Sequence, residues 1–358
     1  MNNRFSQDAI GQCLMVGIPH PTLDAETRRI LADLQPGGII LFQRNYTDPD
    51  TLQALCADIH ALTPEHPPLI ALDAEGGRVH RLSPPFTHFP PALQIGQTGS
   101  PQLAHAVGVA LGQELRSVGI DIDFAPVLDV YSNPDNTVIG DRAFGSDPQR
   151  VAEFGCALAA GLRAAGVLPC GKHFPGHGAT VIDSHDDLPY DERGKATLEE
   201  VDLPPFQAAI AQEIELLMTA HVVYPALDPQ QPASLSPIIM NDLLRQRLGF
   251  QGIIVSDDLE MGAIVRHSSV AAAAVQALSA GADLLLICQS LERALSARDA
   301  CRRALQQGVL TGERVTEAQR RVEWLKQRIA DRTSLPLPAI GAPEHHTLVE
   351  TIVQRAAG

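Results

Sequence analysis

Between Lys172 and His185 the chain reads Lys-His-Phe-Pro-Gly-His-Gly-Ala-Thr-Val-Ile-Asp-Ser-His, a cation, three imidazoles and a carboxylate on one stretch punctuated by glycine. It follows a short apolar run, Gly166–Cys170, of the kind that forms a buried strand. Asp183 and His185 are one residue apart, so a turning loop lets the carboxylate reach the imidazole. A carboxylate placed there fixes the ring's tautomer and raises its basicity, which prepares it to pass protons near neutral pH. A second acidic group, Asp257, follows another apolar run at Gly252–Ser256. Asp258 adjoins it, and alternation along an extended backbone predicts that only one of the two faces a pocket. The other is expected as a helix cap or hydrogen-bonded support. Proton-active groups at the ends of two strands point to an active site.

Strands and helices that could position these groups alternate from end to end. Eight short apolar runs read as strands: Cys13–Ile18, Gly38–Phe42, Leu69–Leu72, Ile122–Phe124, Leu168–Lys172, Leu216–Thr219, Ile253–Ser256 and Leu284–Ile287. Helix signals lie between them. Ser100-Pro101 opens one that Gly119 closes, Asp147-Pro148 and Ser236-Pro237 repeat the start, and Gly249 supplies another stop. Thr197 with Glu200 has the form of a capping box. Eight βα repeats without a linker predict one α/β (β/α)₈ TIM-type barrel spanning residues 1–358 as a single catalytic domain. The rival, a doubly wound open sheet, is disfavoured because no GxGxxG follows the first strand. The interval from Asp73 to Gly119 is long for one repeat. Segments 290–306, 311–330 and 344–356 read as extra helices packed on the barrel's exterior, with the Pro-rich Ser334–Pro343 joining the last two.

Bulk composition narrows the partners. The chain has 358 residues, 45% hydrophobic and 19% charged, as in a soluble globular protein. Its 42 Asp and Glu against 27 Lys and Arg disfavour nucleic acid and anionic membranes, which select basic faces. Apolar runs such as Ala282–Cys288 are too short to span a bilayer, and Met1–Gly11 has no signal-peptide core. The six cysteines show no CxxC pair and no zinc-like spacing, so they read as reduced, mostly buried thiols in a cytoplasmic protein. A monomer acting on a small molecule, without a cofactor, is expected.

In such a barrel the reacting groups sit at the carboxyl ends of strands. Those ends carry Asp73-Ala-Glu75-Gly-Gly-Arg78-Val-His-Arg81, Gly140-Asp141-Arg142, Lys172-His173, His221 and Ser256-Asp257-Asp258. Asp73 and Arg81 suit hydroxyl recognition, by accepting and donating several hydrogen bonds; a structural ion pair at the mouth is the plainer alternative. Arg142 could instead pair locally with Asp141, and one of Lys172 and His173 could point into the core. Asp121, Asp123 and Asp129 read as structural, and Trp324 as packing on an exterior helix. His173, His177, Asp183 and His185 raise a metal site, but none forms an HExxH pair and a Gly-rich loop is a poor rigid template.

These motifs resemble glycoside hydrolase family three, within it the bacterial β-N-acetylglucosaminidases of peptidoglycan recycling. The likeness rests on Lys172-His-Phe-Pro-Gly-His-Gly with Asp183-Ser-His185, on Ser256-Asp-Asp-Leu259, and on Asp73-x-Glu-Gly-Gly-Arg-Val-x-Arg81, Gly38-Ile-Ile-Leu-Phe42 and Gly140-Asp-Arg-Ala-Phe144. It covers roughly residues 10–300. Ala74 and His80 depart from it, each standing where Gln is frequent. The resemblance implies retaining exo-hydrolysis of terminal β-linked N-acetylglucosamine from muropeptides. It makes Asp257 the nucleophile, His185 the acid/base with Asp183 as its partner, and Asp73, Arg81, Arg142, Lys172 and His173 the sugar-binding set. A phosphorylase on the same fold and a metal-dependent barrel hydrolase are the alternatives. The long connection from Phe174 to Tyr190 is expected to be mobile and to deliver His185 to bound sugar.

Overall fold

Apolar runs buried on both faces pair side by side in parallel when helices cover their outer side, and eight of them close a ring. The computed structural model describes residues 7–64, 66–330 and 340–358. Its strands are β1 (Leu14–Gly17), β2 (Gly38–Ile40), β3 (Leu69–Leu72), β4 (Ile122–Asp123), β5 (Leu168–Phe174), β6 (Leu216–Thr219), β7 (Ile253–Asp258) and β8 (Leu284–Ile287). They pair in chain order, all parallel, and β8 closes onto β1. This is the (β/α)₈ barrel expected from the repeat pattern, not the open sheet.

Alternation along each strand divides the core in two. Met15, Ile40, Leu69, Ala71, Leu168, Leu216, Met218, Ile253, Val255, Leu284 and Leu286 fill the barrel. Leu14, Val16, Ile39, Ile70, Leu72, Leu217, Ile254, Leu285 and Ile287 face outward under the helices. Val322 and Leu325 of the helix Gly312–Ala330 join the inner cluster, so this helix stoppers the end where the strands begin. Trp324 sits on the same helix, partly exposed, with the Arg328 guanidinium 4.9 Å from its ring. All six cysteines are buried and unpaired. Among the described residues no helix is long and apolar enough to cross a membrane.

Two strands outrun their apolar pattern. β5 continues through Lys172, His173 and Phe174, and β7 through Asp257 and Asp258. In both, the register shifts in that last stretch, between Lys172 and Phe174 and between Val255 and Asp258. A shift of register interrupts the in–out alternation, so neighbouring residues can turn to one side.

Most helix signals hold. Asp147 accepts the Gln149 and Arg150 amides, Ser236 Oγ accepts that of Ile239, and Gly119 and Gly249 take the left-handed φ of +91° and +74° at their helix ends. The Thr197–Glu200 capping box does not form. The helix begins earlier, at Lys195, with Gly194 as cap, so Thr197 already has helical angles. The long Asp73–Gly119 interval contains a hairpin, Ala74–Gly76 with Val79–His80, and two helices, Ala92–Gln97 and Pro101–Ser117.

Helices occupy Leu291–Gln306, Gly312–Ala330 and Pro343–Ala356. Of the Pro-rich join, residues 334–339 lie outside the described residues. The last helix packs on Ala92–Gln97 and Pro101–Ser117. Its polar anchor is Glu114, fully buried, which accepts from His345 Nδ1 (2.7 Å), Gly341 N (3.1 Å), Thr87 Oγ1 (2.6 Å) and Thr87 N (2.9 Å). Removing a buried charge that satisfies several donors costs about 3–5 kcal/mol. Glu114→Ala is therefore expected to lower stability by about that amount in a denaturant titration, with amide exchange rising in both Pro343–Ala356 and the Thr87 segment.

Candidate active site

The carboxyl ends of the strands open on a cavity of about 400 Å³. Asp73, Arg81, Arg142, Lys172, His173, Asp183, His185 and Asp257 all line it. Its apolar floor is Ile40, Phe124, Met218 and Leu286 from the inner core. Ala74 and His80 do not line it: Ala74 is buried with its amide on Asp123 Oδ1, and the His80 ring stacks edge-on against His88.

One wall is a lattice of charge. Lys172, 3% exposed, sits 2.7 Å from Asp73 Oδ1 and 2.6 Å from Glu75 Oε1. Arg142 grips the same Glu75 carboxylate with Nε (2.8 Å) and Nη2 (2.9 Å), and its Nη1 donates to Val138 O. Burial alone would raise the Glu75 carboxyl, but Arg142 and Lys172 together hold it well below the carboxylate range. Burial likewise opposes the charge on Lys172, and Asp73 and Glu75 overcome it and raise its pKa. Both cations therefore stay charged.

Of the plainer alternatives from the sequence, the Asp141–Arg142 pair does not form, whereas Asp73 does stand in an ion pair at the mouth. Arg142 pairs with Glu75 and not with Asp141, which pairs with Arg78 at 2.9 Å. Arg78 also donates to the Thr137, Val138 and Ile139 carbonyls, fastening the loop that carries Arg142 to the Ala74–His80 hairpin. Asp73 pairs with Lys172. Arg81 keeps a buried Nε without a hydrogen-bond partner, beside a cavity where a hydroxyl could accept it.

Behind the cavity His173 gives Nδ1–H to Asp129 Oδ2 (2.7 Å), which leaves Nε2 as the ring's uncommitted edge. Asp129 also accepts the His173 amide (3.1 Å) and the His177 amide (2.7 Å). Burial would raise the Asp129 carboxyl, but the His173 imidazole and these donors bring it below its ordinary value. His177 is buried, and burial pushes its pKa down to about 4, so the ring is neutral at working pH. Its Nδ1 meets Thr180 Oγ1 at 2.7 Å and its Nε2 meets Ser184 Oγ at 3.2 Å. The ring nitrogens of His177 are thus taken by hydroxyls, and among the described residues no group of three or more His, Cys, Asp or Glu converges on a metal position. Lys172 and His173 both line the cavity, so neither is a core residue.

The proton-active pair is the most exposed part. His185 Nδ1 lies 2.8 Å from Asp183 Oδ1, which also accepts the His185 amide. Partial burial would raise the Asp183 carboxyl, but those two donors lower it and keep it ionised. An ionised partner requires a proton on Nδ1, so Nε2 is the atom that can give or take one. The connection expected to be mobile is tied around this pair: Ala263 N donates to Ser184 O and Gly262 N to His185 O, both at 3.1 Å.

Asp257 lines the same cavity as the pair. Its Oδ1 accepts the Asp258 amide (2.8 Å). Burial favours the neutral acid, but the imidazoles of His221 and His173 and the Asp258 amide outweigh it, so the carboxyl is held below its ordinary value. His221 is buried and its pKa is lowered by burial. Its Nε2 must donate, since its partner is the Asp258 carbonyl (2.9 Å), and Nδ1 accepts from Ser234 Oγ (2.6 Å). The expectation that only one of Asp257 and Asp258 faces the pocket fails, because the shifted register at the end of β7 brings both to its wall. Asp258 still serves as a support, accepting the Glu260 and Cys288 amides.

Glu75, Asp129, His177 and Ser184 carry no role in the sequence-based assignment. Glu75 gave one signal, a carboxylate two residues after Asp73 at the same strand end. Replacing Glu75 by Ala leaves two buried cations with one carboxylate, so stability is expected to fall by about 3–5 kcal/mol. In the folded remainder any activity of the site is expected to fall on the order of 100-fold, because the lining cations would be misplaced. Asp258 gives a pH test. Burial lifts its carboxyl from 3.8 to about 7, so the folded chain holds a proton that the unfolded chain has lost. That contribution is full below about pH 4 and is lost as pH rises through about 7. Asp258→Asn should flatten this part of the stability–pH profile.

Known proteins share both the fold and the sequence. The description "Glycosyl hydrolase family 3 N terminal domain" matches residues 6–325. A β-hexosaminidase of Thiobacillus denitrificans is 44% identical over 287 residues, 78% of this chain and 79% of that one. A family 3 β-N-acetylglucosaminidase from Paenibacillus sp. superposes with a TM-score of 0.94 at 38% identity, over 98% of this chain and 68% of that one. NagZ from Neisseria gonorrhoeae in complex with N-trifluoroacetyl-D-glucosamine superposes at 0.78 with 33% identity, over 96% and 98%. A closed parallel barrel with its charged cavity at the strand ends, matched over most of its length by these proteins, makes this chain a glycoside hydrolase belonging to glycosyl hydrolase family 3.

Proposed function

We propose that this chain removes terminal, non-reducing β-linked N-acetylglucosamine by a retaining, two-step hydrolysis. The observation that carries this is the meeting of two groups at one cavity: an ionised Asp257 from β7, and His185 with an uncommitted Nε2 from the connection after β5. Retaining glycosidases place a nucleophile and a proton donor on either side of the scissile bond. Asp257 Oδ1 is engaged by the Asp258 amide, so Oδ2 is the atom that attacks carbon 1. The glycosidic bond breaks as His185 Nε2–H protonates the leaving oxygen, and a glycosyl ester on Asp257 forms. His185, now neutral, then takes a proton from water. The water oxygen bonds to carbon 1 and the Asp257 carboxylate is released. Asp183 accepts from Nδ1–H throughout and stabilises the imidazolium of the resting acid.

Asp73, Arg81, Arg142, Lys172 and His173 hold the sugar's hydroxyls, with the cations kept charged by Glu75 and Asp73. An amino sugar is supported by the names of the relatives, and by the N-trifluoroacetyl-D-glucosamine bound to the Neisseria protein. The leaving group is read as the 1,6-anhydro-N-acetylmuramic part of a muropeptide in cytoplasmic cell-wall recycling, on the family resemblance. The barrel acts as one catalytic unit and a monomer, with no cofactor.

An aryl N-acetyl-β-glucosaminide should be turned over much faster than the matching glucoside. Equal rates on the two would remove the amino-sugar assignment. Asp257→Asn should abolish turnover of every substrate. His185→Ala should lower kcat/KM far more for a disaccharide than for a nitrophenyl glycoside, whose leaving group needs little protonation; a uniform loss would show that His185 is not the acid. Sugar 1-phosphate formed on adding phosphate would point to a phosphorylase, and loss of activity on exhaustive chelation to a metal enzyme.

A further inference from the structure

Ser184 stands between the two exposed members of the proton-active pair and points the other way. It is 2% exposed, whereas the His185 and Asp183 side chains are 66% and 40% exposed. The tripeptide thus alternates outward, inward, outward, and its inward residue is held from two directions. From behind the cavity, Ser184 Oγ lies 3.2 Å from His177 Nε2. That ring is itself fixed through Thr180 Oγ1 at 2.7 Å and through its own amide on Asp129 at 2.7 Å. From the β7 side, the Ser184 carbonyl accepts the Ala263 amide and the His185 carbonyl accepts that of Gly262.

Gly262 shows how close this approach is. A Cβ on it would lie 2.4 Å from His185 O and 2.5 Å from Asp186 O, both backbone atoms, so no other residue fits without moving the connection. Gly262 is five residues beyond Asp257 on the same continuous segment. The bonds at Ser184 and His185 therefore form a bridge between the element that supplies the acid and the one that supplies the nucleophile.

We propose that Ser184 is a positioning residue for the acid/base step. Its hydroxyl on His177 and its carbonyl on Ala263 fix where His185 Nε2 stands relative to Asp257. This rests on the reading of His185 as acid/base. Ser184 also lines the cavity, but its hydroxyl is spent on His177 and has no hydrogen bond to the charge lattice around Glu75. Loss of the hydroxyl lets the pair drift, and a displacement of about 1 Å at a proton donor can lower a rate on the order of 100-fold. The loss must fall where proton donation matters.

The experiment measures kcat/KM, which reports the glycosylation step, for Ser184→Ala, Gly262→Ala, His185→Ala and the unaltered protein. The substrates are 4-nitrophenyl N-acetyl-β-glucosaminide and N,N′-diacetylchitobiose. For Ser184→Ala a fall on the order of 10- to 100-fold on the disaccharide is expected, with less than about threefold on the nitrophenyl glycoside and a thermal midpoint lowered by no more than the loss of one buried hydrogen bond. Gly262→Ala, acting on the same bridge from the other side, should split the substrates in the same sense. If His185→Ala splits them while Ser184→Ala and Gly262→Ala lower both equally or leave both unchanged, the positioning role is overturned and the acid assignment stands. Should His185→Ala itself fail to split them, the acid assignment falls instead. If Ser184→Ala does not fold, Gly262→Ala alone decides, by the presence or absence of the split.

Discussion

A single buried carboxylate lets two cations share one wall of the cavity. Arg142 arrives after β4 and Lys172 on β5, and both are nearly excluded from water. Two like charges in such a medium repel strongly, and each would shed its charge or turn away unless a counter-charge were supplied. Glu75 supplies it to both, from a third direction after β3. With Glu75 in place, Asp73 closes the lattice on Lys172, and Arg78 fastens the loop that brings Arg142. The donors and acceptors of this wall are then set before a ligand arrives, which is where such sites gain most of their electrostatic advantage.

The opposite side of the cavity follows a different rule. There Asp183 and His185 are exposed and the groups that hold them are hidden. Asp129, His177, Thr180 and Ser184 are all within 2% of full burial. They connect a ring that lines the cavity, His173, to the backbone beneath His185. Exposure suits the acid/base role proposed for His185, which requires proton exchange with a leaving group and then with water. Burial suits a neutral ring whose task is to hold two hydroxyls in place.

Much of this was legible in the sequence, because barrel strands are written as short apolar runs and strand ends as polar clusters. Leu69–Leu72, Leu216–Thr219 and Leu284–Ile287 have the same bounds in the sequence pattern and the structure. Of the residues picked out at the strand ends, Asp73, Arg81, Arg142, Lys172, His173 and Asp257 come to one cavity, while His221 is buried outside its lining. What escaped is what periodicity does not encode. β5 and β7 extend two residues beyond their apolar runs, and their register shifts there, so the rule that adjacent residues face opposite sides misjudged Asp257 with Asp258. Partners far apart in sequence, Glu75 with Arg142 and Arg78 with Asp141, were hidden behind the nearer pairing of Asp141 with Arg142. Thr197 carried a cap signal that an earlier helix start overrode.

The stopper at the strands' beginning has a consequence for the opposite rim. Val322 and Leu325 close the hydrocarbon interior at the end where the strands begin, away from the cavity. Insertions and side-chain exchanges along the opposite rim therefore leave that lower seal intact.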